Sequence, residues 1–367
     1  MAACSRCSSI PRAYPESGVL RLAPPLAHTH ASLRDHLERV GITYTSPAAG
    51  LLEFRISGEI LERFASGLDG VLGGSELRDT RSLLVSEGAS ASPTDLTAVQ
   101  PLSTLVARVQ GGWFTSLLRE RRLTSVFHPI VTCGAPVEIF GYECLLRGQA
   151  ADGSSIAPDQ LYRAAREADL LFPLDQAARL TAIGAAREHA VDAGSTRIFI
   201  NFNPSSIYDP VSCLRSTIAA IEQTRFTPDR IVFEVVESDH IPDLAHLVRI
   251  IDFYREAGFK VALDDLGSGF GSLRLLEMLR PDFVKLDMGL VRDVDRDRFK
   301  AGIVRGLLEM ARDLGIASVA EGVETEPEWD WVRRHGADYV QGYFFARPAS
   351  PPPRLTRGCA GDSVPPH

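Results

Sequence analysis

The sequence of 367 residues is poor in cysteine, with six at positions 4, 7, 133, 144, 213 and 359. Six thiols scattered over that length exclude a disulfide-framed scaffold, so reduced thiols are the default. No run of about eighteen apolar residues occurs, which excludes a membrane-spanning helix. The first residues, with Cys4 and Cys7 among polar neighbours, lack the apolar centre of a secretory signal, and a cytoplasmic protein is expected. A basic tract is also missing. The formal charge of -8 argues against DNA as a partner of the general surface, while leaving room for a phosphate site inside a cleft. What is present, 45% hydrophobic and 23% charged, is a globular chain long enough for one large domain and a smaller one.

The first hundred residues show no continuous helix or strand period. Residues 51–56 (LLEFRI) and 82–85 are strand candidates and 60–68 a short amphipathic helix, so a small α+β domain is expected over 1–100. Cys4 and Cys7 form one C-x-x-C, half of a zinc knuckle, with His28, His30 and His36 as conceivable completing ligands. A lone pair this near a terminus is more often incidental. Residues 87–101 (EGASASPTDLTAVQP), small, polar and proline-marked, read as an interdomain linker. A lead-in helix is expected over 102–123, opening a second domain over 102–350. The proline-rich stretch 351–367 reads as a disordered tail.

Within the second domain, eight apolar stretches have strand character: 126–131, 138–145, 197–202, 230–235, 260–263, 283–286, 317–320 and 339–341. From the second onward, helical stretches separate them, including 174–190, 213–224, 245–257, 298–314 and 326–335. Such alternation predicts an α/β, TIM-like (β/α)8 barrel. Only a few residues around Cys133, Gly134 and Pro136 join the first two strands, too few for a parallel crossover. The first strand is therefore expected to run antiparallel to its neighbours, bringing its beginning, where His128 lies, to the face at which the other strands end.

That face is where such barrels react, and its acids are numerous. Residues 261–273 (VALDDLGSGFGSL) end a buried strand in two adjacent carboxylates, Asp264 and Asp265, before a glycine-rich loop. The other strand ends contribute Glu143 with Arg147, Asn201, Glu234 with Glu237, Lys285 with Asp287, Glu321 with Glu324, and Gln341. Hard oxygens without thiolate or imidazole select Mg²⁺ or Mn²⁺ over zinc, and so many converging acids need cations to coexist, most naturally two ions sharing Asp264. Arg147 and Lys285 add the positive charge expected beside a phosphate diester. The chemistry these residues support is metal-dependent phosphodiester hydrolysis.

Seven ordered motifs, ECLLRG (143–148), INFNP (200–204), FEVVES (233–238), LDDLGSGFGSL (263–273), DFVKLD (282–287), AEGVET (320–325) and VQGYFFARP (340–348), closely resemble the EAL family of bacterial phosphodiesterases. The resemblance spans about two thirds of the chain and none of the first hundred residues. It implies hydrolysis of cyclic di-GMP to linear pGpG; the alternative is a catalytically silent cyclic di-GMP receptor acting through a partner protein. It implies that Glu143, Asn201, Glu234 and Asp264 bind one metal while Asp265 and Glu321 belong to a second. Lys285 would position the attacking water with Glu321 assisting. Arg147 would contact a substrate phosphate, with His128, Gln341 and Asp287 also on the substrate side, and Glu237 would hold the glycine loop. It further implies a homodimer through the barrel, and it leaves the amino-terminal domain free to take a regulatory partner. The sequence departs from the family at Cys144 for alanine, Val236 for threonine, His128 for glutamine and DDLGSG for DDFGTG, none of which removes a metal ligand.

Overall fold

The computed structural model describes residue 10 and residues 17–85, 93–236, 243–267 and 272–355. The described residues form two compact units, one within 9–122 with 159–174, the other within 123–158 and 175–355.

The amino-terminal unit is built on a four-stranded sheet of β1 (Gly18–Ala23), β2 (Leu52–Ile56), β3 (Arg81–Val85) and β4 (Gln100–Pro101), in the order β2-β1-β3-β4, with every pairing antiparallel. Period-two alternation sends Leu20, Leu22, Leu52, Phe54 and Ile56 to one face, where they meet Leu33 and Leu37 of the helix Ala27–Arg39 and Leu61 and Phe64 of the helix Gly58–Ala65. Ser57 starts the latter helix by accepting from the Ile60 N–H at 3.3 Å. The sequence pattern missed β1 and the helix Ala27–Arg39, because six strand residues before a Pro-Pro pair and a helix with few apolar positions carry little period.

The expected linker and lead-in helix differ from what is observed. Residues 86–92 lie outside the described residues, but Pro93–Ala98 is a 3₁₀ turn and Gln100–Pro101 is β4. The helix splits into Leu102–Gln110 and Gly112–Arg119 at Gly111, whose backbone leaves the helical range with φ -87° and ψ 25°, and where a Cβ would sit 2.5 Å from the Ala107 carbonyl oxygen. Leu102, Leu105 and Val106 belong to the amino-terminal core. They join it because their apolar face completes that core, an allegiance that helical period alone does not disclose.

The second unit is a closed barrel of β5 (Leu123–Thr132), β6 (Ile139–Gln149), β8 (Arg197–Phe202), β9 (Ile231–Val236), β10 (Lys260–Leu266), β11 (Phe283–Leu286), β12 (Ala317–Ala320) and β13 (Tyr339–Gln341). Among the described residues the short β7 (Ser155–Ile156) pairs only with β6. The order β5-β13-β12-β11-β10-β9-β8-β6 closes through β5–β6, and β5 alone runs antiparallel, to both neighbours. The expected barrel with its inverted first strand is present. The first two strands are longer than expected, because the β5–β6 ladder continues past His128↔Glu143 to Leu123↔Gly148. Arg147 therefore lies within β6 rather than beyond it.

One layer of the barrel interior is apolar, formed by Ile130, Phe199, Val232, Ala262, Phe283 and Val319 with Phe140, Ala317 and Tyr339. Phe140 stacks on Tyr339 with ring centroids 3.8 Å apart. It is the extra residue of a bulge in β6, where pairing passes from Ile130↔Gly141 to Val131↔Ile139.

Candidate active site

Two residues further along each strand, the same inward face turns from apolar to polar: Phe199 to Asn201, Val232 to Glu234, Ala262 to Asp264, Phe283 to Lys285, Val319 to Glu321 and Tyr339 to Gln341. On the inverted β5 the step runs backwards, from Ile130 to His128, which pairs with Glu143. Strand period thus stacks a ring of polar groups directly on a dry floor.

Lys285, 1% exposed, occupies the centre of this ring. Its Nζ lies 2.6 Å from Glu321 Oε1, 2.9 Å from Glu234 Oε1, 3.0 Å from Asp264 Oδ1 and 3.5 Å from Glu143 Oε2. Glu143 is oriented from both sides: Asn201 Nδ2 donates to Oε1 at 3.1 Å and Gln341 Nε2 to Oε2 at 2.9 Å.

Asp264 and Asp265 are adjacent, so an unbroken strand would aim them at opposite faces. Here the β10–β11 register shifts between Leu263 and Leu266, and Asp265 adopts a left-handed backbone with φ 56°. The two carboxylates consequently share one cluster. Asp264, Asp265 and Glu321 offer oxygens within 4.8 Å of one another, and so do Glu143, Glu234 and Asp264, with Asp264 common to both sets.

The electrostatics are those of a charge excess. Burial opposes the charge on Lys285, but Asp264, Glu143, Glu234 and Glu321 outweigh it and hold the ammonium well above the ordinary lysine range. Burial pushes Glu234 well above the ordinary carboxylate range and raises Asp264, both against the pull of Lys285. It also brings Asp265 to about 6, with Asp264 adding repulsion, and Glu321 to about 8. Glu143 alone is lowered: burial acts upward on it, but Lys285, Gln341, His128 and Asn201 together prevail. Burial keeps the His128 imidazole below its usual value.

One ammonium cannot neutralise five carboxylates. Among the described residues neither oxygen of the wholly buried Glu234 makes a hydrogen bond, although Lys285 is near one of them. Buried carboxylate oxygens short of donors, with Glu234 Oε2 having neither hydrogen bond nor ion pair among the described residues, in two overlapping all-oxygen triads, fit hard divalent cations.

The remaining expected residues have other surroundings. Arg147, half-buried, donates to the Leu146 carbonyl at 2.8 Å. Asp287 accepts the Gly289 N–H at 2.9 Å, capping the helix Met288–Val291. Glu324 pairs with Arg292. Cys144 is buried, its thiol pushed up by burial. Glu237, Ser268, Gly269 and Gly271 lie outside the described residues, as do Cys4 and Cys7. Of the histidines considered beside those cysteines, His36 is buried with Nε2 2.8 Å from the Phe64 carbonyl oxygen and His28 sits beside Glu76.

Sequence reading overlooked Glu328. Its carboxylate, buried at 3% exposure, accepts the N–H groups of Asp293, Glu324 and Thr325, while Thr325 Oγ1 accepts the Glu328 N–H. It fixes the loop that leaves Glu321. The capping-box spacing T-x-x-E was its available signal.

A family model for the EAL domain matches residues 113–348. The probable cyclic di-GMP phosphodiesterase PdeG of Escherichia coli (strain K12) is 30% identical over 233 residues, 61% of this chain and 44% of that protein. The blue light- and temperature-regulated antirepressor BluF of the same strain is 28% identical over 223 residues, 60% of this chain and 53% of that one. The chain thus spans about half the length of these relatives. The cyclic di-GMP-bound structure of a standalone versatile EAL protein from Vibrio cholerae O395 is 35% identical, covers 64% of this chain and 95% of its own, and has a TM-score of 0.57. The manganese/cyclic di-GMP complex of Klebsiella pneumoniae BlrP1, 24% identical with a TM-score of 0.56, shares its fold over 91% of this chain and 96% of its own. Among the described residues no helix is long and apolar enough to cross a membrane.

Proposed function

The chain belongs to the EAL-domain family, and from that premise we propose that it hydrolyses cyclic di-GMP to linear pGpG with Mg²⁺ or Mn²⁺. The observation that carries this reading is the pair of oxygen triads sharing Asp264 around Lys285. Glu143, Asn201, Glu234 and Asp264 would hold one cation, and Asp264, Asp265 and Glu321 the other. Such ions supply Lewis acidity at a phosphoryl oxygen and lower the pKa of water.

The chain's own residues do the rest. Asn201 and Gln341 orient Glu143. Lys285 orients the attacking water and stabilises charge developing on the phosphoryl group, and Glu321, in contact with its ammonium, takes the proton. A new P–O bond forms to water, the bond to the 3′-oxygen breaks, and that oxygen takes a proton from solvent while Glu321 releases its own, so that one water is added across the bond. Arg147 and His128, on the inward face of the extended hairpin, contact substrate.

The test is incubation of the purified chain with cyclic di-GMP and Mg²⁺ or Mn²⁺, followed by chromatography. Appearance of pGpG, absent with the Glu143→Gln variant, is expected. Saturable binding of cyclic di-GMP without turnover would replace the enzyme by a receptor.

A further inference from the structure

Asp175 and Arg179, one turn apart on the helix Leu171–Glu188, form an ion pair with exposures of 0% and 1%. The mechanism above makes no use of it. Arg179 Nε donates to Thr217 Oγ1 at 3.2 Å, on the helix Arg215–Ile221. Asp175 gives one oxygen to Arg179 and the other to the backbone N–H of Asn203, at 2.9 Å.

Asn203 is the first residue past β8 and stands two residues beyond Asn201. A buried charge pair generally gains no stability over two apolar side chains of the same volume, which would cover the helices equally well. What the pair adds is an acceptor fixed in direction. Its carboxylate is clamped by Arg179, which is itself clamped by Thr217, so the Asn203 N–H has one place to go. Beyond that point the chain turns away at once, with Asn203 Oδ1 accepting the Ser205 N–H at 2.9 Å and Ser206 Oγ donating to the Asn203 carbonyl at 2.6 Å. Asn201 is thus held between the β9 ladder, where it pairs with Glu234, and the Asp175 anchor.

We propose that the buried Asp175–Arg179 pair is a positioning device for Asn201, setting the carboxamide that orients Glu143 and contributes to the first cation site. The proposal rests on the reading of Asn201 as a cation ligand. Two double variants of the full chain separate positioning from packing. D175L/R179M removes both charges and the acceptor; D175N/R179M removes both charges but keeps an oxygen for the Asn203 N–H.

Isothermal titration with Mn²⁺ is expected to show about ten-fold weaker binding for the leucine variant, as for other residues that orient metal ligands. Its kcat should fall with KM unchanged. The asparagine variant should restore both to within about two-fold of wild type. If the leucine variant does not fold, Thr217→Val loosens Arg179 without burying a new charge, and a rise of about three-fold in the Mn²⁺ dissociation constant is expected there. Unchanged Mn²⁺ affinity in the folded leucine variant, or in Thr217→Val should the leucine variant not fold, overturns the proposal, as does a loss that the asparagine variant fails to restore. A wild-type chain that binds no Mn²⁺ overturns the metal reading as well, whereas wild-type binding matched by every variant overturns this inference alone.

Discussion

Among the described residues of the amino-terminal unit the buried polar side chains are Thr29, His36, Thr80, Ser82 and Thr104, with no carboxylate, lysine or arginine among them. In the barrel unit they include Glu143, Glu234, Asp264 and Lys285 in one cluster and the Asp175–Arg179 pair behind β8. The first unit has leucines and phenylalanines at its centre, with Thr29, His36 and Ser82 each engaged by a nearby acceptor. The second has an apolar floor and, one step above it, acids whose charged forms burial disfavours. The comparison teaches where stability is sacrificed to chemistry: a core built only to hold together contains no such excess of charge.

The largest effect expected from breaking this contrast is on turnover. Glu143→Ala should lower cyclic di-GMP hydrolysis by about 10³-fold or more, and Lys285→Ala should cut kcat by about 10²- to 10³-fold with little change in KM. Steady-state kinetics on folded variants checks both, and a change confined to KM would show that Lys285 merely holds substrate.

Next comes the frame around the cluster. A Cβ at Gly342 would lie 2.0 Å from the Val323 carbonyl oxygen and 2.5 Å from its nitrogen, so it meets backbone that cannot step aside. Gly342→Ala should destabilise by about 3 kcal/mol in thermal or denaturant unfolding. It should also impair turnover, since the strand on its inner side carries Gln341.

The charge excess itself should be visible as pH dependence. Asp265 at about 6 and Glu321 at about 8 hold protons in the folded chain that the unfolded chain, with ordinary values of 3.8 and 4.5, has already released. The folded state then binds more protons, so stability falls as pH rises. This contribution is fully present below about pH 4 and is lost through about 6 and 8. Melting temperature in the presence of a chelator should decline across that window, and added Mn²⁺ should restore it most at the alkaline end. A flat profile would mean that the carboxylates are neutralised in some other way.

Helix ends provide the smallest effects. Removing the Ser57 cap in Ser57→Ala should cost about 1 kcal/mol in the amino-terminal unit, with kcat unchanged. Glu328→Gln should cost about 1 kcal/mol as well, and it should also lower turnover, because that cap sits on the loop leaving Glu321. Burial acts upward on Glu328, but the N–H groups of Asp293 and Glu324 lead in holding it below the ordinary range. Its contribution is therefore present above the unfolded value and lost as pH falls through the folded one. Equal kcat for the two variants would erase the distinction between the units.

Much of the barrel was legible because its signals are local. Each strand is a short apolar run, and in β8 to β13 a floor residue is followed two positions later by a polar one, a pattern that period two alone exposes. The inverted β5 follows from a connection too short for a crossover. The amino-terminal unit was legible only in LLEFRI, 82–85 and the helix near residue 60. A sheet of five- and six-residue strands offers little period, and Leu102, Leu105 and Val106 lie in sequence beyond the apparent linker.

By itself the sequence determined which residues of the barrel would be acids, on which strands, and that they would gather at one end, since side-chain alternation and strand direction are properties of the local chain. Only the tertiary structure decided how they meet. The bulge that turns Asp264 and Asp265 to one cluster, the placing of Lys285 among four carboxylates, the Glu328 clamp and the reach of Asp175 to Asn203 all depend on register and packing between segments distant in sequence. No periodicity encodes a register shift or the partner of a buried charge, because those are fixed by which neighbours arrive and by what each must satisfy once water is gone.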